Sequence, residues 1–191
     1  MDRRGDARST DPEPGRPRAL GPDDDLAAAE AILLVLQASR GVLARESPEN
    51  PRRTGPVRLV REAMWFFWER PRLPRPLVAS KYPKTYPWSP GAQAWYETHG
   101  GRRPQGGWGL VIEHLYPREL VVNDLLTGEQ RDPDAVVALL STRVMAAIVT
   151  RQDDRLLPAR GKSPGTWSSY EADPWVRYRS KLQLDGFAAL E

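Results

Sequence analysis

Six prolines between residues 71 and 90 set the strongest limit on what this chain can fold into. Pro71, Pro74, Pro76, Pro83, Pro87 and Pro90 each fix φ and remove a backbone donor, so neither a helix interior nor a central strand survives that density. The spacing predicts an extended, stiff segment over 70–90, with regular elements on either side. Lys81, Tyr82, Lys84, Tyr86 and Trp88 interleave within it. Alternating cations and aromatics can follow a phosphate backbone and stack bases. They equally suit a proline-rich loop that its aromatics pin to a core.

Proline also marks the N-terminus. Residues 1–22 hold Pro12, Pro14, Pro17 and Pro22 with three glycines and almost nothing apolar. Burial there cannot offset ordering entropy, so a disordered head is expected. The remaining 23–191, about 170 residues, suits a single domain that buries roughly 70% of its unfolded surface.

Absence of cysteine removes disulfides, Cys-based zinc or iron–sulfur sites and thiol catalysis. It fits a reducing compartment, and a cytoplasmic location is expected. No apolar run is seen to approach the ~18 residues of a membrane span. No apolar run follows the head's arginines either, so no signal peptide is expected.

The net charge of +3 is modest, but its distribution is uneven. Between 51 and 84 lie Arg52, Arg53, Arg58, Arg61, Arg70, Arg72, Arg75, Lys81 and Lys84, opposed only by Glu62 and Glu69. Such a block points to an anionic partner, nucleic acid first, although a solvated Arg-rich face has the same composition. A protein partner is the alternative.

Apolar periodicity predicts a helix over 24–40 behind Asp23, Asp24 and Asp25, closed by Gly41. A second helix over 56–69 ends in Met64, Trp65, Phe66, Phe67 and Trp68. Being apolar nearly all round, it is expected to be the central buried helix. Ser89-Pro90 opens a short helix to about 98. Leu110-Val111-Ile112 reads as a strand ending at Glu113-His114. Pro117 opens a helix over 117–127 ended by Gly128, and Asp132-Pro133 opens another over 133–141. Val144 to Val149 reads as a second strand, after which Thr150 caps a short helix containing Asp153 and Asp154. The tail, 157–191, is expected to pack back irregularly through Trp167, Tyr170, Trp175 and Tyr178, with a short helix at 174–180. The expected class is α+β or mixed α/β: mainly helical with a small sheet, and irregular Pro-rich and C-terminal segments.

Chemistry is expected first at Glu113-His114, where a strand end faces a helix start. An imidazole can deprotonate water near neutral pH, and a carboxylate beside it can hold a divalent cation. Successive strand residues face opposite ways, so the pair cooperates only if the strand ends or bulges there. A structural hydrogen-bonded pair is the plainer alternative. His99, beside Gly100-Gly101, reads as an exposed loop residue. No P-loop, GxGxxG, GxSxG elbow or HExxH is present.

Glu-His-x-x-Pro at 113–117, following Leu-Val-Ile, resembles the opening element of the HNH (ββα-metal) nucleases. The resemblance covers roughly 110–155. It implies phosphodiester hydrolysis with a divalent metal such as magnesium. Glu113 would be a metal ligand, His114 the general base, and Asn123 the residue that orients the imidazole. No histidine follows His114, so Asp153 or Asp154 would complete the metal site. Lys81, Lys84, Arg118 and Arg151 would bind substrate phosphate. The alternative is a non-catalytic nucleic-acid-binding or partner-binding protein in which Glu113-His114 is structural.

Overall fold

The computed structural model describes residues 14–44, 54–100, 102, 109–128, 132–157, 175, 178, 182 and 184–190. It is mainly helical, with two small antiparallel sheets. Helix α1 spans Pro22–Leu43, with Pro22 in its first turn and Asp23, Asp24 and Asp25 at its positive end. Gly41 does not close it: the helix continues through Gly41, and Ala44 follows in right-handed conformation. Among the described helices α1 alone is long and apolar enough to cross a membrane, with a mean hydropathy of 1.6 over 18 residues. That corrects the reading that no run approaches span length. In the fold its stripe of Ala29, Ile32, Leu33 and Leu36 is buried against neighbouring helices.

Helix α2, Thr54–Ala63, runs directly into a π-helical turn, Met64–Glu69. The Arg70 amide reaches back five residues to the Trp65 carbonyl. The widened turn re-aims the side chains that follow it. Met64 and Trp68 go into the core, while Phe66 and Phe67 stay 51% and 43% exposed. The expected all-round burial is therefore wrong on one side. A 3-10 turn, Arg70–Arg72, follows. Arg72 is buried, donates to the Phe67 and Trp68 carbonyls at 3.1 and 2.8 Å, and pairs with Asp25 of α1.

The 70–90 segment is less irregular than its prolines suggest. Strands β1, Leu77–Val78, and β2, Tyr82–Pro83, form a minimal antiparallel hairpin. Its turn places Ala79 and Ser80 at φ 54° and 56°. Proline survives in so short a ladder because an edge strand leaves donors unpaired anyway. Tyr82, Tyr86 and Trp88 are 2%, 2% and 0% exposed. Of the two readings of these aromatics, pinning the loop to the core is the one the packing matches.

Helix α3, Pro90–His99, starts where the Ser89 hydroxyl accepts from the Ala92 amide. Strand β3, Leu110–His114, pairs with β4, Ala146–Thr150, from Leu110↔Thr150 to His114↔Ala146. Helices α4, Arg118–Thr127, and α5, Pro133–Arg143, lie between them in sequence. Helix α6, Arg151–Leu156, follows β4 behind a Thr150–Asp153 capping box. Asp132 caps α5.

Three apolar clusters meet on this frame. One lies among α1, α2, α4 and α5. A second joins Leu110, Ala146 and Ile148 to Tyr82, Tyr86 and Trp88. The third, on the other face of the sheet, joins Leu115, Met145, Ala147 and Val149 to Tyr178, with Trp175, Leu182 and Phe187 against it. So the tail packs back as expected at these residues. Trp167, Tyr170 and most of the 174–180 helix lie outside the described residues. Each fully buried aliphatic side chain in such clusters stabilises by roughly 1.5–3 kcal/mol.

Residues 1–13 lie outside the described residues, but 14–21 are held in place. The Ala146 amide donates to the Gly15 carbonyl at 2.8 Å, and the Arg18 amide to the Arg72 carbonyl at 3.1 Å. The expected disordered head therefore does not extend to residue 22.

Candidate functional site

Glu69 ends the π-helical turn and is 3% exposed. Its Oε2 lies 2.7 Å from His114 Nε2 at the end of β3. Its Oε1 accepts from Arg118 Nε at 3.1 Å and also from Arg118 Nη2. The strand end and the start of α4 thus present an imidazole and a guanidinium, four residues apart, to one carboxylate. Burial pushes the Glu69 carboxyl up, but the charge and hydrogen-bond effects of His114 and Arg118 outweigh it and hold it at about 2, below its ordinary 4.5. An ionised carboxylate only accepts, so the His114 Nε2 must carry the proton and donate.

His114 and Arg118 open onto a cleft of about 220 Å³, whose other walls are Glu62, Trp65, Lys81 and Ile112. The Arg118 guanidinium lies 5.8 Å from the centre of the Trp65 ring. Lys81 projects from the β1–β2 hairpin. The residue is exposed as a whole, yet its ammonium loses part of its water, and the Arg118 and Arg151 cations add repulsion. Both effects lower its pKa from the ordinary lysine value. Neither Lys81 nor Arg151 forms an ion pair among the described residues. Burial, with the Glu69 carboxylate adding to it, pushes the nearby Tyr86 phenol well above the usual tyrosine range.

Of the four cations expected to bind phosphate, Lys81 and Arg118 line this cleft, and the Arg151 cation acts on Lys81 from outside its lining. Lys84 is elsewhere, its ammonium 5.5 Å from the Tyr96 ring of α3.

The other expected roles are not assembled. Glu113 and His114 diverge. His114 shares a sheet face with Leu110 and Ile148, whereas Glu113 pairs with Ala147 on the Tyr178 side. The Tyr178 hydroxyl donates to the Glu113 carbonyl at 3.4 Å. The strand neither ends early nor bulges, so alternation separates the two side chains. Asn123 is exposed on α4 and lines a separate groove with Leu43 and Val57. The residue that orients the imidazole is Glu69.

Asp153 and Asp154 follow Thr150, which pairs with Leu110 at the far end of β3. Four residues of strand separate that end from His114, about 13 Å. Asp153 is engaged locally: it accepts from the Thr150 amide at 3.0 Å and from the Ser89 hydroxyl at 2.6 Å. Among the described residues no group of three or more His, Asp or Glu could hold a metal ion. The residues proposed as metal ligands therefore do not fit one cation.

Glu69 was legible only as an opposing charge in a basic block. Its signal was a lone acid directly after five consecutive apolar residues. A carboxylate carried into a core in that way needs cations to meet it there. No family model, curated protein or solved structure matches this chain.

Proposed function

We propose that this protein binds nucleic acid through its phosphodiester backbone, in the cleft between the π-helical turn, the β1–β2 hairpin and the start of α4, and does not cut it. The observation that carries this is that Lys81 and Arg118 meet in one cleft from separate elements, with the Arg151 cation near enough to act on Lys81. Like charges brought together in a partly dehydrated cleft repel, and a bound phosphate relieves the repulsion. Arg118, held at Nε and Nη2 by Glu69, is positioned in advance, so little side-chain entropy is lost on binding.

The hydrolytic reading, an HNH-like endonuclease using magnesium, has in its favour that His114 lines the same cleft. Against it stands the separation of Glu113, Asn123, Asp153 and Asp154.

Fluorescence anisotropy with a short labelled oligonucleotide tests the proposal. Three phosphate contacts predict affinity falling roughly 20- to 40-fold between 50 and 200 mM salt. The Lys81→Ala/Arg151→Ala double variant should lose most of that salt dependence. Absence of binding at low salt, or unchanged binding by the double variant, overturns the reading. Magnesium- or manganese-dependent nicking that disappears in His114→Ala would replace it with the hydrolytic one.

A further inference from the structure

The π-helical turn leaves aromatic surface beside this cleft. Trp65 is half-buried and forms part of the cleft wall. Glu62, one turn earlier, is also in the wall, and Phe66 lies four positions further along that side of the helix. Phe66 is 51% exposed, and the Arg70 guanidinium lies 6.0 Å from its ring centre. The aromatics of the proline-rich segment are spent on the core, whereas Trp65 lines the cleft and Phe66 is exposed on the same helical turn.

We infer that the nucleic acid this cleft takes is single-stranded, with its phosphates on Lys81, Arg118 and Arg151 and its bases stacked on Trp65 and Phe66; the inference rests on the binding function proposed above. An exposed aromatic face among cations suits a partner that is itself flat and joined to anionic groups. In a duplex the base faces are already stacked on one another and only groove edges are offered. In a single strand each base has a free face, and stacking is sequence-tolerant. Shape points the same way. Reading a duplex groove takes a protruding helix or ribbon, whereas this site is concave. A cationic floor with an aromatic rim is the arrangement that tracks a strand.

The test compares oligo(dT) and oligo(U), a duplex of equal length and an abasic strand of equal length, against wild type, Phe66→Ala and Lys81→Ala. Phe66 is exposed, so its truncation leaves the fold intact. Expected is tighter binding of the single strands than of the duplex. Phe66→Ala should weaken single-strand binding about 5- to 160-fold, the span for loss of one stacked base, and leave duplex and abasic binding unchanged. Lys81→Ala should weaken all ligands alike. Equal or tighter duplex binding, or abasic binding as tight as oligo(dT), overturns the single-strand inference and leaves the backbone-binding function standing. Failure of every ligand to bind at low salt overturns that function itself. Dimerisation in sedimentation that Phe66→Ala abolishes, with strand binding unaffected, also overturns the inference and assigns the exposed Phe66 face to a second copy of the chain.

Discussion

His114 Nε2 and Glu69 Oε2 lie 2.7 Å apart although 45 positions separate them in sequence. The contact joins the end of strand β3 to the end of the π-helical turn, and Arg118 closes it from the start of α4. Three elements therefore depend on one buried carboxylate.

Replacing that carboxylate should be costly. Glu69→Gln keeps the volume but removes the charge, leaving the His114 and Arg118 groups without their anion. The expected loss is roughly 2–4 kcal/mol, set below the fully buried range because Arg118 is partly exposed. For a chain of this size, that lowers Tm by about 5–15 °C. A thermal melt of Glu69→Gln that overlays the wild type would show that the contact contributes nothing.

Acid should dissolve the same contact. The Glu69 pKa is about 2 in the fold against an ordinary 4.5. A depressed carboxylate contributes stability that is complete above pH 4.5 and is lost as pH falls toward 2. Urea midpoints measured across that interval should fall more steeply for wild type than for Glu69→Gln. Parallel pH profiles for the two proteins would contradict the assignment.

Asp153 and Asn123 should separate by stability alone. Asp153→Ala removes the acceptor for the Thr150 amide and the Ser89 hydroxyl, which itself caps α3. A loss of about 1–2 kcal/mol is expected. Asn123→Ala, on the exposed face of α4, should stay within about 0.5 kcal/mol of wild type. Chemical denaturation of the two variants side by side makes the comparison.

Gly15 tests whether the N-terminal segment belongs to the fold. It sits at φ 85°, and a Cβ there would come within 2.3 Å of the Ala146 carbonyl oxygen. Gly15→Ala should displace the segment and cost about 1–3 kcal/mol. Hydrogen exchange at the Ala146 amide, which donates to Gly15, should accelerate. Unchanged protection would show that the segment does not hold β4.

Local chemistry made much of the fold legible. Ser89, Asp132 and Thr150 cap helices where their side chains suggested. Strand β3 ends at His114, and α4 begins just after Pro117. Each of these signals acts within a few residues, through a fixed φ or a side chain that satisfies a neighbouring amide, so the chain carries them wherever it folds. The meeting of Lys81 and Arg118 in one cleft was only half legible. Their charge could be read from composition, but their meeting could not.

The sequence by itself determined the helix starts, the two strands of the main sheet and the basic character of the segment before residue 84. Tertiary structure alone decided which acid His114 meets. Adjacent strand residues face opposite sides of a sheet, so Glu113 was turned away from His114 by the backbone that joins them. Glu69 was carried in by packing, because a core that buries one carboxylate is stable only where cations from other elements can reach it.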